Sequence, residues 1–404
     1  MLTDKFIWPT DEMDFWKITN EQYHVTISWN KQHYENYRKL SYQYFQCGFE
    51  TLCEIVRNLN NNSKTDMWFL ASIYLLRQSI ELGLKSIICR AFIKSNKQIQ
   101  VTFENCKHNL HLLIETIKNT SEINYINSIE SSWLVDYLYS LEQIDRNSEV
   151  FRFPFNKNIL EKYRDSYLDI IGIGNNILQA FYLVKKIIEK GKVKEGEEFD
   201  NKLSTDFILL AENGIGNCYL WQPITDDGFY VKINGFRYVA EFLFNSNSIS
   251  NPDKCFPLLF VLRNTLELCL KRLLYCKVDI KAPNPKMYSK RKSHDLMELW
   301  KAINPILIQY TSSSDIHLIT VIEKNLQFLN SIDRQGFAFR YPTTYSLQYV
   351  FNNAHIDIKN VFEYMISLIN FFESCDTMLD SIADYQFEMK SYFERLNAEP
   401  CKCQ

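Results

Sequence analysis

YLLRQSIELGLKSII, from Tyr74 to Ile88, and FVLRNTLELCLKRLL, from Phe260 to Leu274, carry the same charges at the same places. Arg77, Glu81 and Lys85 in the first correspond to Arg263, Glu267 and Lys271 in the second, each 186 positions later. The same offset carries His108, in KHNL, onto His294, in SHDL. Further along, IDRNSEVFRFP (Ile144 to Pro154) matches IDRQGFAFRYP (Ile332 to Pro342) at an offset of 188. The chain is thus an internal duplication, and each repeat is expected to form one structural unit.

Spacings of four and eight residues put Arg, Glu and Lys on one helix face. In the second copy Leu258, Leu259, Phe260, Val261, Leu262, Leu266, Leu268 and Leu270 surround them. A helix apolar on nearly all sides is a central one, so its charges must be paired or face a cleft. The other recurring polar residues are the expected partners: Asp145, Arg146 and Arg152 in one repeat, Asp333, Arg334 and Arg340 in the other. Each repeat then sets four cations (Arg77, Lys85, Arg146, Arg152 in the first) against two carboxylates, an excess of 4 − 2 = 2. Guanidinium groups beside an imidazole suit a phosphate. A purely structural salt-bridge network is the competing reading of the same residues.

Outward from these helices the pattern stays helical. Only 11 Gly and 10 Pro in 404 residues favour long helices over many short strands. Asn109 and Asp295, each followed by Leu, read as helix starts, and FRFP and FRYP as helix breaks. The expected fold is all-α: two tandem helical-bundle repeats related by a pseudo-twofold axis, each with a small hairpin-like start. The hairpins rest on the similarity of Phe6–Ile18 to Tyr219–Ile233, where Asp227-Gly228 separates two apolar runs. Residues 1–190 form the first repeat, with a helical insertion near 19–46. The charged stretch 191–206 is the linker, and 207–404 the second repeat, with a tail from about 379. The last helices are expected near Ile159–Lys190 and Ile356–Met378.

Composition excludes several classes. A net charge of −3 gives no general attraction to nucleic acid or anionic lipid, so RNA binding would need a local patch. Eleven cysteines scattered through apolar stretches suit reduced thiols in a cytoplasmic protein. The acidic N-terminus does not read as an export signal, and no uncharged apolar run approaches membrane-spanning length. Neither Cys106-x-His108 nor Cys401-x-Cys403 supplies four ligands, so no metal or other cofactor is expected. Trp8 and Trp221 recur and are read as core residues.

The run from Glu81-x3-Lys85 to His108-Asn109-Leu110, and from Glu267-x3-Lys271 to His294-Asp295-Leu296, resembles the HEPN superfamily (higher eukaryotes and prokaryotes nucleotide-binding) over about 100 residues of each repeat. That resemblance implies a compact helical bundle and an RNA-directed module of a prokaryotic toxin or anti-phage defence type. It further implies a metal-independent endoribonuclease with its site where two bundles meet. The family's ribonuclease signature, Arg followed after four to six residues by His, does not occur in this chain. On this reading His108 and His294 are the acid–base candidates, and Arg152 and Arg340 the catalytic cations. Arg77, Glu81, Lys85, Asp145 and Arg146, with their counterparts Arg263, Glu267, Lys271, Asp333 and Arg334, form the phosphate-binding or structural network. The alternative is a non-catalytic scaffold, a homo-oligomer or a subunit that binds another protein.

Overall fold

The computed structural model describes residues 6–154, 162–163, 165–220, 228–278 and 294–398. The fold is all-α, with five short strands among the described residues. In the first half the helices are α1 (His33–Val56), α2 (Phe69–Ala91), α3 (Asn96–Cys106), α4 (Leu110–Lys118), α5 (Ser128–Asp145) and α6 (Ile170–Ile188). The second half has α7 (Phe229–Asn245), α8 (Asn251–Arg272), α9 (Leu296–Tyr310), α10 (Ile316–Ile332) and α11 (Ile358–Ala398).

Local chemistry sets the boundaries. Asn109 accepts a hydrogen bond from the Leu112 amide at the start of α4, and Asp295 accepts from the Met297 and Glu298 amides at the start of α9. Asn127 and Glu130 form a reciprocal capping box at α5. The α2 and α8 helices are buried along almost their whole length, as their all-round apolar pattern requires.

Contacts in one half are matched in the other. The α1 helix packs on α2 as α7 packs on α8; α6 lies against α2 as α11 lies against α8. Across the halves, α1 meets α8 and α2 meets α7. The strands pair across the halves too. Strand β1 (His24–Ile27), before α1, is antiparallel to β5 (Ala354–Asp357), before α11. Reciprocally, β2 (Tyr167–Leu168), before α6, lies between β3 (Leu210–Ala211) and β4 (Cys218–Tyr219), which precede α7.

Several expectations are revised. The small strands do not form hairpins: Phe229–Ile233 is the first turn of α7, and residues 221–227, Trp221 included, lie outside the described residues. The stretch 19–46 holds β1 and the first half of α1, one unbroken helix to Val56 rather than an added helix before another. Of the last helices, α6 runs from Ile170 and α11 from Ile358 through the tail to Ala398, while the expected start at Ile159 lies outside the described residues. Trp8 is 37% exposed and sits edge-on to Phe371 of α11 instead of in the core. Seven of the nine described cysteines are buried, while Cys401 and Cys403 lie outside the described residues. Among the described residues, no helix is long and apolar enough to cross a membrane.

Candidate functional site

Glu81 is fully buried at the centre of the first polar cluster. Its Oε2 accepts from Arg77 Nη1 at 2.9 Å and its Oε1 from Lys85 Nζ at 2.7 Å. The same Oε1 lies 3.1 Å from His108 Nδ1 and accepts from the Tyr341 hydroxyl at 2.5 Å. Arg77 continues the cluster through Nε to the Asp145 carboxylate, 2.9 Å, and through Nη2 to the His108 carbonyl, 2.8 Å. Asp145 in turn accepts from the Glu149 and Val150 amides, which folds the chain back after α5.

The second cluster repeats this geometry around its glutamate, while Arg263 meets Asp333 through the Asp333 carbonyl, 3.4 Å from Nη2. Glu267 accepts from Arg263 at 3.1 Å and from Lys271 at 2.6 Å, and lies 2.9 Å from His294 Nδ1. Arg263 Nη2 donates to the His294 carbonyl at 2.7 Å, and Asp333 accepts from the Phe337 and Ala338 amides. The turn after each Asp needs a positive φ, met three residues on by Gly336 (71°) and, at more strain, by Ser148 (61°).

The FRFP and FRYP segments cross over. Arg340, from the second half, donates to Gln78 Oε1 and Ser148 Oγ of the first, both at 3.1 Å. Arg152, from the first half, donates to Asn264 Oδ1 of the second at 3.0 Å. Gln78 and Asn264 are themselves 186 positions apart. Both guanidinium carbons lie within 6 Å of the Tyr74 and Phe260 rings, which stack on each other at 5.0 Å. Beside them Tyr341 covers Lys85, with Nζ 4.3 Å from the ring centre, and Phe153 covers Lys271 at 4.0 Å. At the histidines the two clusters differ by one hydroxyl: Tyr341 reaches Glu81 and lies 2.9 Å from His108 Nδ1, whereas its counterpart is Phe153.

Electrostatics follow from burial and pairing. Burial alone would raise the Glu81 carboxyl, but Lys85, His108 and Arg77 outweigh it and hold it well below the usual range. Glu267 is held down in the same way by Lys271, His294 and Arg263. Burial pulls the Lys85 and Lys271 ammonium groups below their usual value against the pull of these carboxylates. Burial also pushes His108 down to about 4, only partly opposed by Glu81.

Two expected network members are not in it. Arg146 and Arg334 have side chains 72% and 68% exposed, reaching Glu142 and Asp295 at the surface. Each directly follows the Asp at a helix end, and the turn that buries the Asp directs the next side chain to water. The charge excess per cluster becomes three cations against two carboxylates, 3 − 2 = 1, and the extra cation is the crossing arginine. Arg152 and Arg340 are themselves only 3% exposed. His108 and His294, with side chains 16% and 26% exposed, are the members with access to solvent.

Tyr74, Gln78, Asn264, Tyr341 and Phe153 also belong to the arrangement without having been singled out from sequence, and Phe260 was read only as part of the apolar surround. Their signal was available, because Tyr74/Phe260 and Gln78/Asn264 keep the 186 offset and Phe153/Tyr341 the 188 offset. The chain has no match among protein-family models, curated proteins or solved structures.

Proposed function

We propose that this chain is a HEPN-like, RNA-directed module of a prokaryotic toxin or anti-phage defence type, and that it cleaves RNA without a metal. The observation that carries the proposal is the pairing of a solvent-accessible imidazole with a buried carboxylate, made twice: His108 Nδ1 with Glu81 and His294 Nδ1 with Glu267. A carboxylate kept ionised beside Nδ1 places the proton there and leaves Nε2 as the basic nitrogen. With its pKa pushed down to about 4, His108 is neutral at pH 7, the form a general base requires. In the proposed step Nε2 takes the proton of a ribose 2′-hydroxyl as that oxygen attacks the adjacent phosphorus. The bond to the 5′-oxygen of the next nucleotide breaks, and that oxygen takes up the proton held on the imidazolium, which leaves a 2′,3′-cyclic phosphate, a 5′-hydroxyl and a neutral histidine. Arg152 and Arg340 are too enclosed to touch the phosphate, so they act from behind the histidines as fixed positive charge. The reciprocal contacts of the halves support a pseudo-twofold arrangement carrying the two histidines.

The test is single-stranded RNA with purified protein in EDTA. Cyclic-phosphate ends are expected, and their yield should fall about 10²–10⁴-fold in the His108→Gln, His294→Gln double variant with its helical content intact. No cleavage, or cleavage indifferent to the double substitution, overturns the enzymatic reading.

One observation favours a second reading, a non-catalytic scaffold. Arg77, Glu81 and Lys85, like Arg263, Glu267 and Lys271, are almost wholly enclosed and pair with each other, as a register-fixing network would. Under it the double His variant binds the same partners as the wild type, and RNA is untouched by either.

A further inference from the structure

The α11 helix has 41 residues, about 60 Å at 1.5 Å per residue, more than the core can cover. It is anchored as far as Asp380, whose carboxylate pairs with Lys277, and Leu379 is its last core residue. Beyond that it projects, yet it is not uniformly polar. Tyr385, Tyr392 and Phe393 are 63%, 54% and 55% exposed, and Leu396 is 49% exposed. Met378, Ile382, Tyr385, Met389, Tyr392 and Leu396 follow one another at spacings of 4, 3, 4, 3 and 4. That is the heptad seam of a coiled coil, with Ile382, Met389 and Leu396 at a and Met378, Tyr385 and Tyr392 at d. Beyond Ile382 the stripe is exposed at Tyr385, Tyr392 and Leu396 and half-buried at Met389.

We propose that this stripe is the seam of an antiparallel coiled coil with a second copy of this chain. Its flanking charges select both partner and direction. The g positions bordering the seam are Glu388 and Arg395. In a parallel pair g faces e, and Glu388 would meet Phe393. In an antiparallel pair g faces g, so Glu388 of each copy meets Arg395 of the other, with Met389 layered on Tyr392 and Leu396 on Tyr385. Within one chain Arg395 reaches Ser391 of its own helix. At about 200 Å² per aromatic side chain, Tyr385, Tyr392 and Phe393 offer roughly 350 Å² per copy, or about 700 Å² for the pair, while the fourth exposed ring, Phe387, lies at an f position away from the seam. That is short of a standard interface, so the dimer is a weak, concentration-dependent one.

Sedimentation of the full chain over a range of concentrations tests this. The weight-average mass should rise from 48.0 kDa toward twice that value. Tyr385→Lys with Tyr392→Lys should hold it at the monomer. Glu388→Arg or Arg395→Glu alone should weaken the dimer several-fold, and the two together should restore it, because the charges then meet in reverse. These positions lie outside the core, so circular dichroism should not change. A monomer at every concentration overturns the proposal and leaves the stripe to a different protein. Failure of the double charge swap to restore the dimer overturns the antiparallel pairing on which it stands.

Discussion

Around His108, burial and charge work against each other, and pH separates them. In the unfolded chain the imidazole titrates near its usual 6.5; in the fold it titrates near 4. Between those values the unfolded chain holds one more proton, so acid favours unfolding. Stability should fall as pH drops from about 6.5 toward 4, and this contribution should be flat below. Glu81, held well below 4.5, adds a second loss at lower pH, as its folded form is finally protonated. His108→Gln should remove the first loss and leave the second. Urea midpoints measured from about pH 7 to pH 3.5 would show this. A wild-type midpoint that does not move between about pH 6.5 and 4.5 would contradict the assigned environment of His108. At this scale the sequence was informative about which residues are polar and central, since an apolar surround around Arg-x3-Glu-x3-Lys leaves few other arrangements. It was silent on Arg146 and Arg334, because nothing in a one-residue step from Asp145 or Asp333 says which side chain the turn buries.

Among the elements, α1 and α7 are positioned by matching glycines in CGFE and NGFR. A Cβ on Gly48 would come within 2.9 Å of Leu76 Cγ, and one on Gly235 within 2.3 Å of the Met67 carbonyl oxygen. The first neighbour is a side chain that can shift; the second is backbone and cannot do so cheaply. Gly235→Ala should therefore destabilise the protein by about 1–3 kcal/mol. It should do so although alanine favours a helix interior over glycine by about 1 kcal/mol. Equilibrium denaturation checks it, and a Gly235→Ala variant as stable as the wild type would mean that α7 does not approach the Met67 carbonyl so closely. Helix identity was legible here because capping residues and apolar spacing are local signals, as at Asn109 and Asp295. The strand pairings were not, because β1 and β5 are four residues each and their paired residues lie far apart in the chain, as His24 and Asp357 do. A hairpin was the nearer partner for such short runs, and tertiary pairing overrode it.

For the molecule as a whole, the two halves are not independent bodies. Each half supplies a strand to the other's end and an arginine and an aromatic ring to the other's polar cluster. Removing one half would strand a buried Arg–Glu–Lys set beside an open aromatic face. A single calorimetric transition is therefore expected, with fluorescence and circular dichroism coincident through it. Two separated transitions, or a soluble folded fragment ending in the linker after α6, would contradict the interlocking. The exchange of the FRFP and FRYP segments also bears on descent. Two identical half-length chains could make the same pair of sites only as a homodimer, each lending its loop to the other, and every substitution would then appear in both sites at once. Joining the halves in one chain lifts that constraint, and the corresponding positions hold Tyr341 in one site and Phe153 in the other. One site sets its histidine against a phenol and the other against a bare ring, so each can be altered without the other.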